Sequence, residues 1–75
     1  MATALHLLKG SALSVALAVI ARQLGEPDVR VIVVLLNDAP APPLPDTVLV
    51  RRLGDDLAYA ELVDLIFASE HVIAW

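Results

Sequence analysis

A chain of 75 residues suffices for one small domain, and such a domain hides only about 60% of the surface its unfolded chain exposes. Hydrophobic residues make up 59% of the sequence, against roughly 45–50% in ordinary soluble proteins, so the chain carries more apolar surface than one thin layer of helices can cover. The surplus calls for a partner chain, identical or not. A formal net charge of -4, with Arg51-Arg52 as the only basic cluster, argues against direct nucleic-acid binding, which depends on clustered cations neutralising phosphates. The absence of cysteine excludes disulfides, a persulfide carrier and a thiolate zinc site within this chain.

In chain order, Thr3–Leu8 is a short apolar run that reads as a first strand and ends in Lys9-Gly10-Ser11. Ser11 suits an N-cap, since its hydroxyl accepts a hydrogen bond from an otherwise orphaned backbone N–H. Ala12–Leu24 has almost no polar face apart from Ser14, Arg22 and Gln23, as expected of a helix covered on more than one side. Gly25 fits the position after its last turn, and Pro27 stops any continuation. Lys9 and the apolar stretch Ser11–Ala21 imitate a secretory signal. The strand-like segment before Lys9, and the arrival of Arg22 and Gln23 before the ~20 residues a membrane span needs, favour a buried helix.

Val29–Leu36 is β-branched and apolar without alternation, which suits a strand buried on both faces of a parallel sheet. Strand, helix and strand in this order form a βαβ unit with a right-handed crossover. Asn37–Asp46 follows, with prolines at 40, 42, 43 and 45; lacking N–H donors, they predict an extended, solvated surface loop. Thr47–Leu53 is the third strand, and Gly54-Asp55-Asp56 turns the chain, either aspartate being a candidate cap for the next helix. Leu57–Ser69 has helical spacing, and His71–Trp75 closes the chain as a fourth strand. The expectation is one α/β domain over residues 1–75: a small, mostly parallel four-stranded sheet from two βαβ units, with a flavodoxin-like three-layer tendency.

Ligands of open α/β sheets gather beyond the carboxyl ends of the strands. There the sequence offers Lys9 and Ser11, then Asn37 and Asp38, as a candidate anion site. The spacing is not that of a P-loop, and turn and cap duty is the plainer account of these residues. Asp38, Asp55 and Asp56 are weak candidates for a hard cation. His6 and His71 lie in apolar strands, where a buried, hydrogen-bonded imidazole is commoner than a zinc ligand. A hydrolase using Ser11 or Ser14 lacks the strained elbow that would support it. Arg51-Arg52 reads as a solvated strand end, with contact to a partner the alternative. Trp75 is either packed into the sheet or presented to a partner. No catalytic, metal or cofactor-binding residue is assigned.

Tyr59, Leu62, Val63 and Leu65 in the last helix, followed by Ala74-Trp75, resemble the ending of the DsrH/TusB family. Its members commonly close with a Tyr-x-x-Phe-Val-x-Leu helix and a strand finishing in Ala-Trp. Leu5-His6 in the first strand and Ser11 at the first helix are similar too. The chain looks like a shortened member, and Ser69 stands where a histidine is often found, with His71 two places later. The resemblance implies a DsrE/F/H-like fold and a cytoplasmic role in sulfur relay, in tRNA 2-thiouridine formation or sulfur oxidation. The implied partners are DsrE/TusD- and DsrF/TusC-like subunits, a DsrC/TusE-like sulfur carrier, or further copies of the chain itself. Persulfide transfer in that family is usually credited to a cysteine of the DsrE/TusD-type subunit, so a cysteine-free chain fits a non-catalytic subunit. Tyr59, Leu62, Phe67 and Trp75 are then the interface candidates. The alternative is a stand-alone α/β domain that binds an anion or nucleotide through Lys9, Ser11, Asn37 and Asp38. Neither reading involves a membrane.

Overall fold

Residues 29–35 are nearly all Val, Ile or Leu, and the sheet is built outward from them. The computed structural model describes residues 2–10, 13–36 and 39–75. Its elements are β1 (Ala2–Leu8), α1 (Leu13–Leu24), β2 (Val29–Leu35), β3 (Leu49–Arg52), α2 (Tyr59–Ala68) and β4 (His71–Ala74). The strand order is β3-β2-β1-β4, and every pair is parallel. β1 and β2 pair along their full lengths, from Ala2 opposite Val29 to Leu8 opposite Leu35. Val31 to Leu35 are all buried, as the unbroken apolar run requires of a strand covered on both faces.

Side chains alternate across the sheet, so each face has its own core. On one face Leu8, Val31, Val33 and Leu35 pack with Ala16 and Ile20 of α1. On the other, Leu5, Ile32 and Val34 pack with Leu57 and with Leu62 of α2. The fold is therefore three-layered α/β, as expected. The first crossover, β1-α1-β2, joins neighbours. The second, β3-α2-β4, carries the chain from one edge strand to the other across β2 and β1. The resulting order 3-2-1-4 differs from the 2-1-3-4-5 of flavodoxins.

Several local expectations are corrected. α1 buries only Ala16 and Ile20 fully, and Val15, Ala18 and Ala21 on its outer side are exposed, so the chain covers this helix on one side alone. The helix ends at Leu24 as expected, but Gly25 does not take the left-handed conformation. Instead, Gly25 N–H donates to Arg22 C=O at 3.2 Å and Glu26 N–H to Gln23 C=O at 3.0 Å, tightening the last turn. β3 is shorter than Thr47–Leu53 because Val48 N–H closes a turn onto Pro45 C=O at 3.0 Å. α2 begins at Tyr59, and neither Asp55 nor Asp56 caps it. The cap position is Ala58, whose N–H is accepted by Glu61 Oε1 at 3.0 Å. Alanine has no side-chain acceptor, so only the returning half of a capping box forms.

The proline-rich connection is also more than a solvated loop. Ala39, Pro42 and Val48 are buried, and Ala39, Leu44 and Val48 join the α1-side core. No helix follows β2 among the described residues of this connection, so the loop itself covers the β3 side of that face. Arg52 Nη1 donates to Ala39 C=O at 2.8 Å and ties the loop down. Arg52 is thus half-buried and structural, not a freely solvated strand end. No helix among the described residues is long and apolar enough to cross a membrane.

Ile20 is fully buried whereas Val15 is 55% exposed on the same helix. Ile20→Ala is expected to cost about 2–5 kcal/mol, and Val15→Ala to stay within about 0.5 kcal/mol. Urea unfolding of the two variants measures both, and equal losses would contradict the one-sided packing of α1.

Candidate functional site

The most structured polar cluster lies where β1 meets β4 on the α1 side. His6 is fully buried in the middle of β1. In α1, Gln23 falls three residues after Ile20 and seven after Ala16, so helical spacing puts its amide on the inward stripe. His6 Nε2 lies 2.6 Å from Gln23 Oε1. From the other side, Trp75 Nε1–H donates to His6 Nδ1 at 3.0 Å. The rings are within 7° of coplanar with centroids 6.2 Å apart, an edge-to-edge arrangement that an in-plane N–H···N bond demands.

These contacts select the tautomer. An indole N–H can only donate, so His6 Nδ1 accepts; Nε2 then carries the proton and donates to the Gln23 oxygen. Both ring nitrogens are satisfied, as a buried imidazole requires. With both nitrogens hydrogen-bonded and the ring fully buried, His6 ties α1, β1 and the end of β4 together. Trp75 is half-buried against the α1-side core, and its backbone N–H continues the ladder onto Leu7 C=O at 2.9 Å. Of the two fates open to Trp75, the packed one is observed.

The amino end of the same seam is held by Glu70. Its N–H donates to Thr3 C=O at 3.1 Å, and its Oε2 accepts from Thr3 N–H at 2.6 Å. Charge-assisted bonds of this kind favour the ionised form. The Thr3 amide foremost, and then Glu70's own amide, hold the carboxyl below the usual carboxylate range. Beside β4, an open concavity of about 490 Å³ is lined by residues including Gln23, Glu26, Glu70, His71 and Ile73.

The other sequence candidates are dispersed. Lys9 is exposed at the carboxyl end of β1; Ser11, Asn37 and Asp38, its proposed companions at an anion site, lie outside the described residues. Asp56 Oδ2 accepts from Arg52 N–H at 3.1 Å, and Asp55 stands 4.0 Å from Arg52 Nε, so these aspartates serve the turn after β3. His71 is exposed and so departs from the buried role expected of it. Ser14 is exposed on α1, and Ser69 Oγ donates to Leu65 C=O at 2.6 Å. Among the described residues no three His, Cys, Asp or Glu side chains converge to hold a metal ion.

The four interface candidates divide. Tyr59 and Phe67 are 73% and 84% exposed. Leu62 is a correction: it is buried within the chain's own core beside Leu5 and Ile32, because it lies on the inward face of α2. Trp75 is engaged with His6. The roles of Gln23, Glu70 and Arg52 were not read from the sequence. A polar residue on the inward stripe of α1, opposite a strand histidine, is the one signal that could have revealed the first.

Replacing Trp75 by Phe removes the donor and leaves a buried acceptor unpaired, at an expected cost of about 1–3 kcal/mol. In a His6→Leu background the same change should cost much less, because the acceptor is gone; additive losses in a double-mutant cycle would show that the bond contributes nothing. For Glu70, a depressed folded-state pKa means stabilisation that is complete above the ordinary carboxylate range and is lost as pH falls through the lowered value. Glu70→Gln should therefore be less stable than the parent at neutral pH, with the gap narrowing on acidification. Denaturation curves over a pH series test this, and a gap independent of pH would refute the ionised clamp.

No family model matches the chain, and searches of curated proteins and of solved structures likewise return no match.

Proposed function

We propose that the chain is a non-catalytic subunit of a cytoplasmic sulfur-relay complex of the DsrH/TusB kind, contributing contact surface where other subunits contribute the reactive thiol. The observation that carries this reading is the outer side of α2, the helix that bears the family-like motif. Tyr59 and Phe67 project into solvent while Leu62, Leu65 and Ile66 of the same helix pack on the sheet. Tyr59, Val63 and Phe67 follow one another at intervals of four and form a stripe. Large aromatics of this kind are the usual anchors of a protein interface. Glu61 and Asp64 are exposed nearby on the helix, so the fitting partner surface is apolar with a basic rim. The lack of cysteine supports the division of labour. Within this reading the partners are DsrE/TusD- and DsrF/TusC-like subunits, with a DsrC/TusE-like carrier receiving sulfur from the assembly.

The test is capture of a purified DsrE/TusD-type subunit by this chain, followed by titration. The double variant Tyr59→Ala, Phe67→Ala should weaken binding at least tenfold, since losing anchor contacts worth about 1–2 kcal/mol each corresponds to that factor or more. No capture by the parent chain, or equal affinity in the double variant, would overturn the reading.

A further inference from the structure

The two edges of the sheet are finished differently. On β3, Leu53 N–H donates toward β2 at Leu35 C=O, so by alternation the backbone groups of Val50 and Arg52 face outward. Most of these are already taken within the chain. Val50 C=O accepts from Arg51 Nη1 at 3.0 Å, and Arg52 N–H donates to Asp56 Oδ2 at 3.1 Å. Arg52 C=O accepts from the N–H groups of Asp55 and Asp56 at 3.2 and 2.9 Å. This edge is sealed by its own side chains and turn.

On β4 the opposite holds. Trp75 N–H donates toward β1 at Leu7 C=O, so the N–H and C=O groups of Val72 and Ala74 point outward. They have no hydrogen-bond partner among the described residues. β4 is short, but its four residues read His-Val-Ile-Ala, with none of the prolines, lysines or acidic residues that commonly blunt an edge. Val72 is 41% exposed, and Ala74 is exposed too.

We propose that two copies of this chain associate through β4, each pairing antiparallel with the other about a two-fold axis normal to the sheet, to form one continuous eight-stranded sheet from two four-stranded ones. The asymmetry of the edges identifies the occupant. A head-to-tail contact would have to use β3, whose outward groups are engaged, and would propagate without closing. An isologous contact needs only the one open edge that every copy possesses. Two chains of charge -4 repel, but β4 brings no acidic or basic residue other than His71 to the joint. The two-fold axis also restricts the register. Residues opposite one another must share a sheet face, so Val72 meets the second copy's Val72 or Ala74, and Ile73 meets its His71 or Ile73. Either register covers Val72 with another apolar side chain. The proposal uses residues other than Tyr59 and Phe67 and does not depend on the sulfur-relay reading.

Sedimentation or light scattering of the purified chain should give twice the 8.0 kDa mass of the monomer, and hydrogen exchange should show the Val72 and Ala74 amides protected along with those of Ile73 and Trp75. Val72→Pro removes an outward donor and leaves the inward ladder to β1 intact. Ala74→Lys places a charge on the edge and, should the proline variant fail to fold, gives the answer alone. Each should return the protein to monomer mass while Trp75 fluorescence remains that of the folded chain. The proposal is overturned by a monomeric parent, by a dimer that survives Ala74→Lys, by a dimer that Phe67→Ala dissolves, or by an open series of larger species.

Discussion

Two helices cannot cover both faces of a four-stranded parallel sheet, and most features of this chain answer that shortage. Parallel sheets occur almost always with both faces packed. Here α1 and α2 each take the middle of one face, where β1 and β2 lie. β3 and β4, each four residues long, have to be provided for by other means. A proline-rich loop lies over the α1 side near β3, with Arg52 pinning it at Ala39. Prolines serve there because a loop without regular hydrogen bonding leaves fewer backbone donors to satisfy.

At β4 the cover is thinner. Trp75 folds back over β1 and meets a histidine held in the right tautomer by a glutamine of α1. That places a hydrogen-bonded chain of three side chains, from helix to first strand to last strand, inside an otherwise apolar layer. Such a chain specifies register, because an indole N–H shifted by one residue would face a hydrocarbon side chain. Glu70 does the equivalent at the other end of β4 by engaging both backbone groups of Thr3. The strand with the least apolar cover is therefore the one held by directional bonds at both ends.

Besides Val15 on the outer side of α1, the exposed large apolar residues lie in two places with different character. On α2 they are aromatic and project as side chains, suited to a pocketed partner surface. On β4 Val72 accompanies unpaired backbone groups, suited to another strand. An edge strand with free donors and acceptors has one dominant way to satisfy them outside water, and the sealed state of β3 limits how many neighbours the sheet can take.

Much of the architecture was legible in the residues themselves. The unbroken run at Val29–Leu36 announced a strand buried on both faces, the Ser, Ala and Leu pattern before Gly25 announced a helix, and their alternation announced the α/β class. These are local signals, set by hydrophobic period and by the conformational limits of proline and glycine. The resemblance carried by Tyr59 and Trp75 pointed to the C-terminal segment, but gave no warning that Leu62 is used internally. What only the tertiary structure decided is which elements become neighbours: the crossing of α2 from β3 to β4, the meeting of His6 with Gln23 and Trp75, the burial of the loop, and the contrast between a sealed and an open edge. Those contacts join residues as far apart as His6 and Trp75. No local pattern encodes them, because each depends on strand order, and strand order is settled by how the whole chain divides a limited amount of cover between two faces.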